Sequence, residues 1–119
     1  MDLPRRPRRL RRNAATRALL EETRVTVDDF IYPLFVKEGE DAEDVPSMPG
    51  VKRHSIAGLV DECRSAHAAG IRAVALFPVT PPEQKDDKGS EALKADCLVL
   101  RAVRAVKEAL PELIVITDV

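Results

Sequence analysis

Ile71-Arg72-Ala73-Val74-Ala75-Leu76-Phe77, closed by Pro78, is the stretch from which the fold is read. Apart from Arg72 its residues are apolar, with none of the polar alternation of a half-wet strand, so it reads as a strand buried on both faces. Gly70 stands directly before it. Upstream of that glycine, Ser55 is a good N-cap, and Ile56, Leu59, Val60 and Cys63 fall on one helical face. A glycine just past the last turn takes the left-handed conformation that ends a helix, so the spacing predicts one helix of about four turns. A helix, a glycine stop and a buried strand make half of a βαβ unit.

The same pattern extends in both directions. Asp28-Asp29-Phe30-Ile31-Tyr32-Pro33-Leu34-Phe35-Val36 becomes almost wholly apolar and is expected to form a strand near 30–36, although Pro33 removes one ladder donor. Residues 37–54 are charged and turn-rich, ending in Met48-Pro49-Gly50, and read as a loop. Past Pro78 a long polar loop runs to about Ser90, where Ser90 and Glu91 start a short helical turn. Asp96 is the expected cap of a further helix, with Val99, Val103, Val106 and Leu110 at helical spacing and Pro111 at its end. Leu113-Ile114-Val115-Ile116-Thr117 is the third strand, with Asp118 at its tip. Strands alternating with helices imply parallel pairing through crossover connections, so the fold class is α/β. No glycine-rich phosphate loop follows the first strand, which weighs against a dinucleotide-binding sheet. Periodicity alone leaves a doubly wound sheet and a (β/α)₈ barrel both open. An open strand at the end of the sequence would be an aggregation-prone edge, so the sheet is expected to be incomplete as given.

The start of the chain differs from the rest. Arg5, Arg6, Arg8, Arg9, Arg11, Arg12 and Arg17 crowd around Pro4 and Pro7, with only Leu3 and Leu10 to bury, so residues 1–12 read as an arm. From Asn13, an N-cap, the run Ala14 to Glu22 reads as a short helix. Two regions follow: an arm with its helix over 1–24, and an incomplete α/β domain over 25–119. With 19 basic against 20 acidic residues there is no net field to draw nucleic acid or membrane, and one Tyr, three Phe and no Trp supply few stacking platforms. No apolar run reaches the roughly 18 residues that span a bilayer, no secretory h-region is present, and the expected location is the cytoplasm. Cys63 and Cys97 lie far apart without CxxC spacing, which suits reduced thiols and not a disulfide or zinc site. His54 and His67 each stand alone. Lys85, between Gln84 and Asp86 in a polar loop, lacks the desolvated site that a Schiff-base lysine needs, and reads as a loop or interface charge.

Six strings then stand in one order: Arg8-Arg9-Leu10-Arg11-Arg12, Pro33-Leu34-Phe35-Val36 with Glu38-Gly39, Ser47-Met48-Pro49-Gly50-Val51, Leu76-Phe77-Pro78-Val79, Lys85-Asp86 with Gly89-Ser90-Glu91-Ala92, and Pro111-Glu112-Leu113 leading to Ile116-Thr117-Asp118-Val119. Together they resemble the opening third of the porphobilinogen synthases (5-aminolevulinate dehydratases). The resemblance makes residues 25–119 the start of a barrel, the first three βα units of a (β/α)₈ TIM barrel, preceded by an arm that clasps a neighbouring subunit in a homo-octamer. It implies condensation of two 5-aminolevulinate molecules to porphobilinogen with loss of water, on two Schiff-base lysines that lie beyond this segment. It carries onto Asp118 the role of an active-site carboxylate, and the barrel rule adds Phe77 as a substrate-binding residue at a strand end. Such a carboxylate holds an ammonium or orients a proton transfer, whereas outside the family a strand-end aspartate often only caps the next turn. No metal ligand and no cofactor is expected within the segment, while zinc or magnesium is expected in the full-length family. Two departures touch a helix start: Lys94-Ala95-Asp96-Cys97 replaces an Asn-Pro-Asp-Gly-like stretch, and Leu100 replaces a usually polar position. A different class of reading is a short non-catalytic protein that binds full-length subunits through its arm or adds a strand to another sheet.

Overall fold

The computed structural model describes residues 7–117. Along the chain run α1 (Ala14–Leu19), β1 (Ile31–Val36), β2 (Glu43–Asp44), β3 (Lys52–His54), α2 (Ile56–Ala68), β4 (Ala73–Pro78), α3 (Leu98–Ala109) and β5 (Ile114–Thr117). Short 3-10 helices occupy Pro7–Arg11, Val27–Asp29, Pro82–Gln84 and Ser90–Leu93. The strands form one sheet in the order β2-β3-β1-β4-β5. β1 pairs parallel with β4, and β4 with β5. β3 adds to the far edge of β1, also parallel, and β2 closes an antiparallel hairpin with β3. The sheet is thus α/β and mostly parallel.

Strand β1 tolerates its proline for a geometric reason. Backbone groups of successive residues in a parallel strand point alternately to the two neighbours. The Val36 carbonyl accepts from Val79 on the β4 side, and the Lys37 N–H donates to His54 on the β3 side. Counting back by twos from Lys37, Pro33 faces the β3 side. There β3 reaches only as far as Arg53 opposite Phe35 and His54 opposite Val36. The donor that Pro33 lacks would meet no strand, so no ladder bond is lost.

Side chains alternate across the sheet, and the two faces have different fates. Leu34 and Val36 of β1 and Val74 and Leu76 of β4 point to the helices, where they pack with Leu59, Val60 and Cys63 of α2 and Leu98, Ala102 and Val106 of α3. Leu113, just ahead of β5, completes this layer. Each fully buried leucine or valine here contributes about 1.5–3 kcal/mol. On the other face lie Ile31, Pro33 and Phe35, then Ala73, Ala75 and Phe77, then Ile114 and Ile116, and none of them is buried. This apolar face has no covering element among the described residues.

Local signals account for most boundaries. Asn13 accepts from the Thr16 N–H at 2.8 Å and starts α1, which ends at Leu19 and not at Glu22. Ser55 caps α2 through the Gly58 N–H, and Gly70 follows at φ 101°. Asp28 and Asp29 belong to a 3-10 turn boxed by Thr26 and Asp29, so β1 begins only at Ile31. The cap of α3 is Cys97, not Asp96, and no side chain caps it. The β2–β3 hairpin has no apolar alternation to betray it. It is held by opposite charges across the pair, Glu43 against Arg53 and Asp44 against Lys52.

No residue of α1 is buried, and Leu19 is 86% exposed. The radius of gyration is 21.2 Å, against about 13 Å for a compact chain of this length. Among the described residues, α1 adds nothing to the two-layer core.

Gly70 sits where the core and the 3-10 turn before β1 touch. Its left-handed φ excludes a Cβ on energetic grounds, and such a Cβ would also lie 3.2 Å from Val27 Cγ1. Gly70→Ala is expected to destabilise the fold by about 1 kcal/mol or more, seen as a lowered urea midpoint with an unchanged slope. A midpoint equal to that of the parent chain would contradict this packing.

Candidate active site

In parallel α/β sheets the chemistry gathers at the carboxyl ends of the strands, where loops lead into the helices. Here those ends are Val36, Pro78 and Thr117. The last side chains on the uncovered face before the loops are Phe35 and Phe77, which are cross-strand neighbours. Their ring centroids are 5.9 Å apart at 47°, a tilted aromatic pair. Below them on the same face stand Pro33, Ala75 and Ile116, then Ile31, Ala73 and Ile114. The small alanines of β4 lie between the larger residues of its neighbours, so the face is stepped.

Two loops rise from this rim. After β1, Glu43 takes ion pairs from Lys37 at 3.3 Å and from Arg53. Hydrogen bonds from Lys37 and then Arg53 hold the Glu43 carboxyl below the usual range. Lys37, Glu38, Glu40, the start of α2 and Arg101 border an open cleft of about 400 Å³. After β4, Asp86 Oδ1 accepts from the Lys88 N–H at 3.1 Å and the Ser90 N–H at 2.9 Å, with Gly89 at φ 63° completing the turn. Bonding to Ser90 holds the Asp86 carboxyl low as well. On the helix side, Tyr32 donates its hydroxyl to Glu62 Oε1 at 2.9 Å, and burial together with that carboxylate raises the phenol above its ordinary value.

A model of the family described as delta-aminolevulinic acid dehydratase matches residues 4–119. The chain belongs to the delta-aminolevulinic acid dehydratase family. The dehydratase of Bradyrhizobium diazoefficiens is 43% identical over 120 residues, covering 100% of this chain and 34% of the relative. That of Halalkalibacterium halodurans is 46% identical over 114 residues, with 95% and 34% covered. A crystal structure of the Toxoplasma gondii dehydratase, or porphobilinogen synthase, in complex with the reaction product porphobilinogen superposes with a TM-score of 0.91 at 41% identity, covering 98% of this chain and 33% of that one. The chain thus spans about a third of the length of the relatives it matches. Their barrel fold makes the uncovered sheet an incomplete TIM barrel and the bare face its interior side. These matches do not favour the separate interaction-protein reading.

Within that family frame, the sequence-derived residues fall as follows. Phe77 stands at the rim, partly buried, beside Phe35. Asp118 lies outside the described residues. Its neighbour Thr117 pairs with Leu76, one position short of Phe77. Lys85 is exposed in its loop. Cys63 and Cys97 are free and buried, and His54 and His67 are partly buried on β3 and α2. Among the described residues no three His, Cys, Asp or Glu side chains gather as a metal would need. No described helix is long and apolar enough to cross a membrane. Phe35 is the rim residue that sequence reasoning passed over. The two-residue period of its strand places it on the same face as Pro33, and that parity was the available signal.

Two outcomes test this geometry. Burial pushes the Cys63 thiol up to about 11, so the folded chain should resist iodoacetamide at neutral pH at Cys63 and react there only after unfolding. Glu43 has a folded value below its unfolded one, so its contribution to the hairpin is full above the ordinary carboxylate range and is lost as pH falls through the lowered value. Amide protection at Val45, whose N–H donates to the Val51 carbonyl at 2.9 Å, should therefore drop as pH falls from the ordinary carboxylate range through the lowered Glu43 value. Glu43→Gln should flatten that dependence, and an unaltered profile in the variant would rule out Glu43 as its source.

Proposed function

We propose that this chain provides the opening βα units of a porphobilinogen synthase, which condenses two molecules of 5-aminolevulinate to porphobilinogen with loss of water. The single observation that carries the proposal is the bare apolar face with Phe35 and Phe77 at its carboxyl rim, in a chain that superposes on a porphobilinogen-bound relative over nearly its whole length. Residues 1–24 serve as an arm and residues 25–119 as the beginning of the barrel domain. The arm fits a clasp on a second subunit in a homo-octamer, since exposed arginines suit bidentate pairing with a partner's carboxylates. The proposed setting is the cytoplasm.

In this reading Phe77 forms part of an apolar wall beside the substrates. With Phe35 it keeps water from the reacting centre and lowers the local dielectric, which favours an uncharged amine for Schiff-base formation on lysines elsewhere in the barrel. Asp118 is the carboxylate that holds a substrate ammonium or takes part in proton transfer. Zinc or magnesium in the whole enzyme would supply a Lewis acid. The described residues hold no ligand set for it.

Purified as it stands, the chain is expected to form no porphobilinogen from 5-aminolevulinate. Joined in register to the remaining two thirds of the Bradyrhizobium dehydratase, it should form porphobilinogen measurable with Ehrlich's reagent. In that fusion Asp118→Asn should lower kcat by about 100-fold or more. Phe77→Ala should raise KM by about tenfold. A folded fusion without activity, or an active Asp118→Asn variant, would overturn the corresponding assignment.

A further inference from the structure

Arg101 is the point at which two otherwise separate loops meet. It lies in the first turn of α3, and its Nη2 donates to the carboxylate of Glu38, 63 residues away and two past the end of β1. Its Nε donates to the Asp96 carbonyl at 2.9 Å, at the close of the loop that leaves β4. Arg104 adds a bond from Nη2 to the Ala95 carbonyl at 3.3 Å. The rest of that loop is bonded within itself. Gln84 donates to Pro81, Lys88 and Ser90 donate to Asp86, and Lys94 pairs with Glu91. Val79 ties its start to Val36. Among the described residues, the side-chain hydrogen bonds from α3 to its far end come from Arg101 and Arg104, beside one backbone bond from the Cys97 N–H to the Lys94 carbonyl.

A guanidinium suits this place because its donors lie in a rigid plane and reach two acceptors in different directions, whereas an ammonium is a single point of charge. Neither tie is strong by itself, since both groups of the ion pair are about half exposed and screened. Their value is geometric. Glu38 follows the strand that carries Phe35, and Asp96 ends the loop that follows the strand carrying Phe77.

We propose that Arg101 is a positioning residue which joins the loop after β1 to the loop after β4, making one rim at the carboxyl ends of the two strands. It touches no reacting atom. The joining stands on this geometry alone, while its consequence for a substrate rests on the function proposed above.

Hydrogen exchange of the chain separates the two ties. Arg101→Gln should speed exchange by about fivefold or more at both Lys37, whose N–H donates to the His54 carbonyl, and Cys97, whose N–H donates to the Lys94 carbonyl, with the core amides of Val74 and Leu76 unchanged. Glu38→Gln should speed exchange at Lys37 only. Arg101→Lys should hold Lys37 near the parent level yet speed exchange at Cys97, because the Nε donor is gone. A change in one loop only with Arg101→Gln would overturn the proposal, as would a uniform rise that includes Val74 and Leu76. In the fusion enzyme, Arg101→Gln should raise KM for 5-aminolevulinate by about tenfold with kcat within about twofold, and Arg101→Lys should recover part of that loss. An unchanged KM would overturn the consequence for substrate. A parent fusion that makes no porphobilinogen would instead overturn the proposed function, with the exchange data still deciding the role of Arg101.

Discussion

Two helices hold one face of a parallel sheet, and every other feature of this chain depends on that one-sided packing. Leu34, Val36, Val74 and Leu76 drive inward against Leu59, Cys63, Ala102 and Val106, so the pleat forces the alternate residues outward. Those alternates are apolar too, which is the composition of a parallel strand buried on both sides. The result is a sheet stabilised from one side with a second apolar face left bare, and it is this face that a closed barrel fills with layers of side chains.

The polar features are placed by the same frame. Parallel pairing sends the carboxyl ends of β1, β4 and β5, and hence the loops that leave them, to one edge of the sheet. There the polar groups are arranged in local sets: Lys37 and Arg53 around the Glu43 carboxylate, the backbone N–H groups of Lys88 and Ser90 on the Asp86 carboxylate, and Arg101 between the Glu38 carboxylate and the Asp96 carbonyl. At the opposite edge the ties are structural, such as Lys107 donating to the Pro111 and Leu113 carbonyls and so fixing the entry into β5. The division matches the barrel family, in which one end serves chemistry and the other stability.

Much of the architecture was legible in the residues. The caps Asn13 and Ser55, the stop at Gly70 and the apolar runs that become β1, β4 and β5 each follow from short-range physics that a sequence displays. The β2–β3 hairpin was not legible, because its two-residue and three-residue strands are charged and their pairing comes from ion pairs across a turn. The cap of α3 was misjudged for a related reason. Asp96 is a better capping residue than Cys97, but its carbonyl is engaged by Arg101, and burial of Cys97 and Leu98 sets where the helix begins.

Of the candidate site, Phe77 could be named from the sequence because it closes a strand, and Asp118 from the family strings that surround it. For Phe35 the sequence offered only its strand parity, since adjacency to Phe77, 42 residues away in the chain, is decided only when the sheet forms. The sequence by itself determined the alternation of helix and strand and the family, both of which are written in local pattern and residue identity. The tertiary structure alone decided which face of the sheet stays open and which loops Arg101 joins. Both depend on contacts between residues far apart in the chain, and no local pattern encodes them.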